Sequence, residues 1–289
     1  MISKIILGTA QIGLNYGINN TTGKLALPES LKLLETAFDM GIRTLDTAEA
    51  YGNATEIIGI FHKKNPLKKF NIINKLDSNK KYAINDLENH IIQSCKTLNC
   101  DKIHSYMFHS FEHLKQSKSV LNRLIDIKKN GLIDNIGVSV YNNYEIMHIV
   151  NNKIKVDFIQ VPFNLLDNDF QRAQAIKKAK ERGISIHVRS VLLQGLFMKS
   201  LSKNDKLYVL KKYIQKAKKI AQNNQMALKD LAFQYCTQKN YIDRILIGVD
   251  NENQLIENLT SLSNKKEIDL SAIDSIHVKE KELLNPSNW

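Results

Sequence analysis

The amino-acid sequence predicts an α/β protein, a (β/α)8 TIM barrel, and three observations carry that expectation. Eight short β-rich runs recur along the chain with helical stretches between them, the order parallel strands need because each must return by a crossover. Most runs are nearly continuous in apolar side chains, as in Ile72-Ile73 and Ile245-Leu246-Ile247. That suits strands covered by barrel core on one side and by helices on the other. Three helical stretches end alike before the next run, at Met40-Gly41-Ile42, Asn130-Gly131-Leu132 and Arg182-Gly183-Ile184, each with a glycine able to turn left-handed just past the helix.

In chain order the predicted strands are Ile5–Thr9, Thr44–Thr47, Phe70–Lys75, Ser105–His109, Asn135–Ser139, Phe158–Pro162, Ser185–Arg189 and Arg244–Gly248. The first helix is expected to open at Pro28, which suits a first turn, with Glu29 favouring the helix dipole and Leu31, Leu34 and Phe38 recurring toward a core. A doubly wound open sheet would also alternate strands and helices. It usually places a glycine-rich phosphate turn after its first strand, and Gly8-Thr9-Ala10-Gln11-Ile12-Gly13 is not GxGxxG. A chain of 289 residues is a length one barrel fills, and no linker or repeat divides it, so a single domain over 1–289 is expected. Its C-terminal tail, about 279–289 and ending Pro286-Ser287-Asn288-Trp289, either shapes the substrate pocket or packs on the surface.

Composition excludes several classes of function. A formal charge of +12 raises nucleic acid as a partner, but only six of the 41 basic residues are Arg. Lysine pairs such as Lys63-Lys64, Lys128-Lys129 and Lys211-Lys212 fall on polar helix faces without interleaved aromatics, the pattern of a solvated surface. The early apolar run Ile5-Ile6-Leu7 is broken by Gly8 and Thr9, too short for a signal core or a membrane span. Cys95, Cys100 and Cys236 cannot all pair and form no CxxC, consistent with a reducing cytoplasm. His104, His109 and His113 lie close in sequence, but without HExxH or a carboxylate-histidine arrangement no metal is expected.

In such a barrel the active site forms at the C-terminal ends of the strands, so polar residues there are candidates for chemistry. Asp46 ends the second run, where it would serve as a helix cap or as a partner to a cation. Tyr51-Gly52 follows in the loop, a turn tyrosine or a phenol presented to ligand. Lys75 ends Ile72-Ile73-Asn74, and a lysine aimed into a barrel mouth is costly unless paired or used; a solvent-exposed strand end is the alternative. His109 closes Tyr106-Met107-Phe108. Together the four would make a proton-transfer device, with Lys75 lowering the Tyr51 phenol below its ordinary value near ~10, Asp46 holding Lys75, and His109 polarising a carbonyl oxygen.

The stretch Gly41-Ile42-Arg43-Thr44-Leu45-Asp46-Thr47-Ala48, followed by Tyr51-Gly52, resembles the strand and catalytic loop of the aldo-keto reductase family. Lys75 in Ile72-Ile73-Asn74-Lys75 and His109 in Tyr106-Met107-Phe108-His109 are similar to that family's third and fourth catalytic positions. The resemblance implies an NAD(P)H-dependent oxidoreductase interconverting a carbonyl (aldehyde, ketone or sugar-like compound) and an alcohol. It implies that Ser139 and Gln160 hold the nicotinamide carboxamide, although Val140 stands where the family usually has Asn. Arg189-Ser190-Val191-Leu192-Leu193-Gln194-Gly195-Leu196 resembles the loop that covers the pyrophosphate, placing Arg189, Ser190, Leu192 and Gly195 among the cofactor contacts. Gly248, Asp250, Asn251, Gln254, Glu257 and Asn258 are similar to the adenosine-binding segment. The family favours NADP(H). The absence of Lys or Arg from this segment, and the presence of Asp250, leave NAD(H) open.

Two rival readings carry different tests. Lys75 could form a Schiff base in an aldolase-type barrel, which Asp46 beside it argues against. Alternatively the barrel could serve as a non-catalytic, cofactor-sensing subunit. Asn15, Tyr16 and His109 would suit a polar carbonyl, Met107 and Phe108 an apolar one. The partners expected are small molecules only, on a monomer or weak homo-oligomer.

Overall fold

The structure is a computed structural model describing residues 2–18, 20, 23–263 and 266–289, and its eight strands close into a barrel in sequence order, all parallel. They are β1 (Ile5–Gly8), β2 (Thr44–Asp46), β3 (Asn71–Leu76), β4 (Ile103–Phe108), β5 (Ile133–Ser139), β6 (Phe158–Pro162), β7 (Ser185–Arg189) and β8 (Arg244–Ile247). β6 and β7 have the expected bounds. β1, β2 and β8 stop one residue sooner, β3 starts and stops one residue later, and β4 starts earlier and stops before His109, which therefore stands just beyond its strand.

The larger helices are α1 (Leu27–Asp39), α2 (Ala54–Lys64), α3 (Leu87–Leu98), α4 (Lys118–Lys129), α5 (Asn143–Asn151), α6 (Asp169–Glu181), α7 (Lys211–Asn223), α8 (Leu228–Gln238) and α9 (Glu252–Ser263). α1 starts as its sequence predicts, with Pro28 in the first turn and the Glu29 carboxylate accepting the Ala26 N–H at 2.9 Å. Its buried stripe is Ser30, Leu33, Leu34 and Ala37, whereas Leu31 and Phe38 are only half-buried. The glycines ending α1, α4 and α6 all take positive φ: 96° at Gly41, 81° at Gly131 and 74° at Gly183.

Successive side chains of a strand alternate between the two faces, so every second residue points into the barrel. Ile6, Ile73, Met107 and Phe158 form an interior cluster with Leu246 packed against it. The Phe158 ring takes the space beside Gly137, where a Cβ would lie 2.2 Å from the ring, and stacks on His187 at 4.4 Å. Two residues further along, the same inward parity brings one residue per strand to the mouth: Gly8, Asp46, Lys75, His109, Ser139, Gln160, Arg189 and Gly248. All eight line one cavity.

Candidate active site

That cavity measures about 520 Å³, within the range of small-molecule sites, and opens at the C-terminal ends of the strands. Its floor is built around Lys75, whose side chain is only 2% exposed. The ammonium makes a close ion pair with Asp46 Oδ1 and donates to the Thr47 carbonyl at 3.2 Å and to the Tyr51 hydroxyl at 3.4 Å. The second Asp46 oxygen accepts from Gln160 Nε2 at 2.8 Å, and the Asp46 carbonyl accepts from the Thr9 hydroxyl at 3.0 Å. Burial pulls the Lys75 ammonium below its usual value while Asp46 opposes that fall. The His109 and Tyr51 rings meet edge to face at 5.7 Å. Burial, reinforced by the Lys75 charge, lowers His109 to about 4, so the imidazole is neutral at pH 7.

Tyr51 departs from the sequence expectation. Its phenol is raised above the ordinary value by burial and by the Asp46 carboxylate, and the cation that opposes this is Arg189. Asp46 already neutralises Lys75, so the phenol meets a neutral pair and a desolvated pocket, and it stays protonated across the neutral range.

Two devices fix the Tyr51 loop. The one-turn helix Ala10–Gly13 packs so tightly on it that a Cβ at Gly13 would lie 1.8 Å from the Tyr51 carbonyl oxygen. Behind the loop, the Glu49 carboxylate is 8% exposed; it accepts from the Tyr106 hydroxyl at 2.5 Å, His90 Nε2 at 2.9 Å and the Tyr82 hydroxyl at 2.8 Å. Burial pushes the Glu49 carboxyl up, and these three donors outweigh it, leaving the group below its usual value. Sequence reasoning missed Glu49, although a carboxylate two residues before Tyr51 was in plain view.

Of the cofactor contacts expected from the resemblance, all except Asn251 line the cavity. Asn251 instead caps α9, its side-chain oxygen accepting the Gln254 N–H at 2.9 Å. Val140 is fully buried and does not face the site. Gln254 braces Asp250 by accepting its N–H at 2.9 Å and donating to its carboxylate at 3.1 Å, while Glu257 pairs with Lys229 at 3.3 Å. Lys229, Gln11, Tyr141 and Gln194 line the cavity without having been singled out for it. Tyr141 directly follows Ser139-Val140 and could have been found by extending the fifth strand's end. Lys229 lies on α8, which belongs to no strand-end motif. The loop after β7 holds Ser190, Leu193 and Gln194 at φ of 59°, 49° and 53°, a conformation L residues seldom adopt. Asn15 turns to the Lys24 N–H at 2.7 Å, while Tyr16 reaches across the mouth, its hydroxyl accepting from Gln194 Nε2 at 3.0 Å. The tail lies behind this rim: Trp289 lines a second cavity of about 180 Å³ with Ile18, Lys199 and Leu201.

A phenol, a neutral imidazole and a neutralised ammonium converge where a carbonyl oxygen can be held and protonated, which is the equipment of a carbonyl–alcohol oxidoreductase built on a barrel. The sequence model of the Aldo/keto reductase family matches residues 4–278, and the chain belongs to that family, whose members are NAD(P)-dependent oxidoreductases. It is similar to a Schizosaccharomyces pombe protein named as a putative aryl-alcohol dehydrogenase, at 21% identity over 96% of this chain and 92% of that one. Among solved structures it is similar to the Bacillus halodurans aldo-keto reductase AKR11C1 in its holo form, with a TM-score of 0.77 at 15% identity, covering 96% and 94% of the two chains. The Gluconobacter oxydans glycerol dehydrogenase AKR11B4 superposes with a TM-score of 0.73 at 19% identity, covering 98% and 93%. Among the described residues, no helix is long and apolar enough to cross a membrane, and no group of three or more His, Cys, Asp or Glu is placed to hold a metal ion.

Proposed function

We propose that the protein interconverts a carbonyl and an alcohol with Tyr51 as general acid and base, His109 orienting the carbonyl oxygen, and Lys75 and Asp46 holding the phenol in place. The observation that carries this reading is the Lys75 ammonium bridging the Asp46 carboxylate and the Tyr51 hydroxyl on the cavity floor, beside His109. A nicotinamide cofactor, when bound, supplies or removes the hydride. In reduction, the neutral His109 ring donates a hydrogen bond to the carbonyl oxygen, and Tyr51 transfers its proton to that oxygen as negative charge develops. A raised phenol suits this direction, since the proton is present at every neutral pH. Asp46 prevents Lys75 from acting as an amine nucleophile, which speaks against Schiff-base chemistry.

The cavity suits the cofactor in chemistry as well as in size. Ser139 and Gln160 on the floor would hold the carboxamide, and the loop through Ser190, Leu192 and Gly195 would offer backbone to the pyrophosphate. Gly248, Asp250, Gln254, Glu257 and Asn258 would then receive the adenosine. At that end a 2′-phosphate would meet the carboxylates of Asp250 and Glu257, and Lys229 is already paired with Glu257. This supports NAD(H), against the family's general preference for NADP(H). The names of the relatives suggest aromatic or small polyol substrates, and Tyr16, Tyr141 and Met198 around the mouth suit an aromatic one. Fluorescence titration with NADH and NADPH, followed by turnover of an aldehyde panel, tests the reading. Binding with turnover supports it, and tighter NADH binding supports the cofactor assignment. Binding without turnover on any carbonyl would favour the cofactor-sensing alternative.

A further inference from the structure

The loop between β6 and α6 is buried to a degree that loops seldom reach: residues 163–168 are each at most 1% exposed. A buried loop must pair its backbone polar groups internally, and one side chain does much of this. The Asn164 amide oxygen accepts the Leu166 N–H at 2.9 Å and the Asp167 N–H at 3.0 Å, while its backbone N–H donates to the Asp167 carbonyl at 3.1 Å. Arg172 grips the Asp167 carboxylate by two bonds, at 2.6 and 2.7 Å, and the Phe163 ring stacks on Tyr235 at 5.3 Å. These ties make the loop a rigid body, and they leave the Asn164 amide nitrogen for a neighbour.

That neighbour is Ser190, whose carbonyl accepts from Asn164 Nδ2 at 3.1 Å. Ser190 opens the loop after β7 at a φ of 59°, a costly conformation for a residue with a Cβ, which persists only where surrounding bonds over-determine it. The same carbonyl also accepts the Leu193 N–H at 2.9 Å, a bond that lies inside the loop and moves with it. The Asn164 bond instead ties the strained residue to a rigid segment outside its loop. An amide meets both demands at once, an oxygen accepting two N–H groups and a nitrogen donating to a carbonyl; a carboxylate keeps the first and loses the second.

We propose that Asn164 is a positioning residue for the cofactor: by holding Ser190 left-handed, its amide sets the course of the segment through Leu192 and Gly195 over the cavity before a nucleotide arrives. Asn164 is fully buried, whereas Ser190, Leu192 and Gly195 line the cavity, so it acts through Ser190. This inference rests on the reading that this loop receives the pyrophosphate. It adds the group that keeps the loop preformed, so that binding need not order it.

Asn164→Asp, Ser190→Gly and the double variant test the idea by two readouts: NADH Kd from fluorescence, and hydrogen exchange at the Leu193 and Gly195 amides without nucleotide. Asn164→Asp keeps the acceptor that closes its own loop and sets an oxygen against the Ser190 carbonyl. It should raise Kd about tenfold, the scale of one hydrogen bond lost between buried groups, and speed exchange at both amides, with kcat at saturating cofactor within a few-fold of wild type. In the Ser190→Gly background the same change should cost clearly less, because glycine takes positive φ without strain. A Kd within twofold of wild type in folded Asn164→Asp overturns the proposal, and so does an equal loss in both backgrounds. If Asn164→Asp does not fold, Ser190→Val opposes the left-handed turn from the other side: a tenfold higher Kd supports the proposal and an unchanged Kd overturns it. If the wild type does not bind NADH or NADPH, the proposed function fails, while exchange still decides for Asn164 if it quickens in Asn164→Asp and against it if it does not.

Discussion

Two layers of inward side chains, two residues apart on the same strands, meet burial in opposite ways. The lower layer around Ile6, Ile73, Met107, Phe158 and Leu246 excludes charge, and its one ionisable member, His187, has no partner for Nδ1 among the described residues. Burial therefore leaves His187 neutral, down at about 3. The upper layer keeps its charges by pairing them: Asp46 takes Lys75 on one oxygen and Gln160 on the other, while Tyr51 and His109 beside it stay neutral. Arg189, the other cation of this layer, bonds the Ser190 and Ser139 hydroxyls and the Val140 carbonyl. One layer seals the barrel, and the other, a single step higher in the same register, holds the polar groups that can act on a ligand.

The largest expected effect breaks the lower layer. Phe158→Ala should cost about 3–5 kcal/mol in denaturant unfolding, because the ring packs on His187 and fills the space beside Gly137. Its loss in kcat/KM should be smaller than its loss in stability, whereas the reverse ordering would mean that the two layers are not separable. The next effect sharpens the contrast through pH. His187 and His109 have folded values of about 3 and about 4, both below the unfolded value near 6.5, so the unfolded chain binds more protons as pH falls. Their contribution is whole above pH ~6.5 and is lost on acidification, by roughly 1.4 kcal/mol per pH unit for each site. Unfolding measured from pH 7 to 4 should show this decline, and His187→Leu should flatten it. The smallest effect concerns the support behind the upper layer. Glu49→Gln should lower kcat about tenfold with little change in KM, since one charged acceptor of three donors is lost and the Tyr51 loop loosens. A change confined to KM would contradict that role.

The barrel was legible in the sequence because alternation, apolar runs and the glycines at 41, 131 and 183 all pointed the same way, and those glycines do turn left-handed. The bounds were less so. An apolar run covered on both sides does not show which residue is the last in the ladder, and so His109 was counted in a strand that ends at Phe108. Asp46, Tyr51, Lys75 and His109 could be picked out because polar residues ending apolar runs are conspicuous, and the structure brings all four to one cavity. The electrostatics between them could not be read. That Asp46 neutralises Lys75, and that burial first and Asp46 second raise the Tyr51 phenol, depends on distances and exposure, which spacing does not encode. Glu49 escaped for a related reason: its partners Tyr82, His90 and Tyr106 come from three other segments, and alone it reads as an exposed loop acid.

The central claim, that Tyr51 moves the proton, is tested most directly by single-turnover reduction of a reactive aldehyde with wild type and Tyr51→Phe, each saturated with reduced cofactor whose binding is confirmed by fluorescence. The account predicts equal cofactor binding and a hydride-transfer rate lower by about 10²–10⁴-fold in Tyr51→Phe. A rate within a few-fold of wild type, with the cofactor bound, would contradict it.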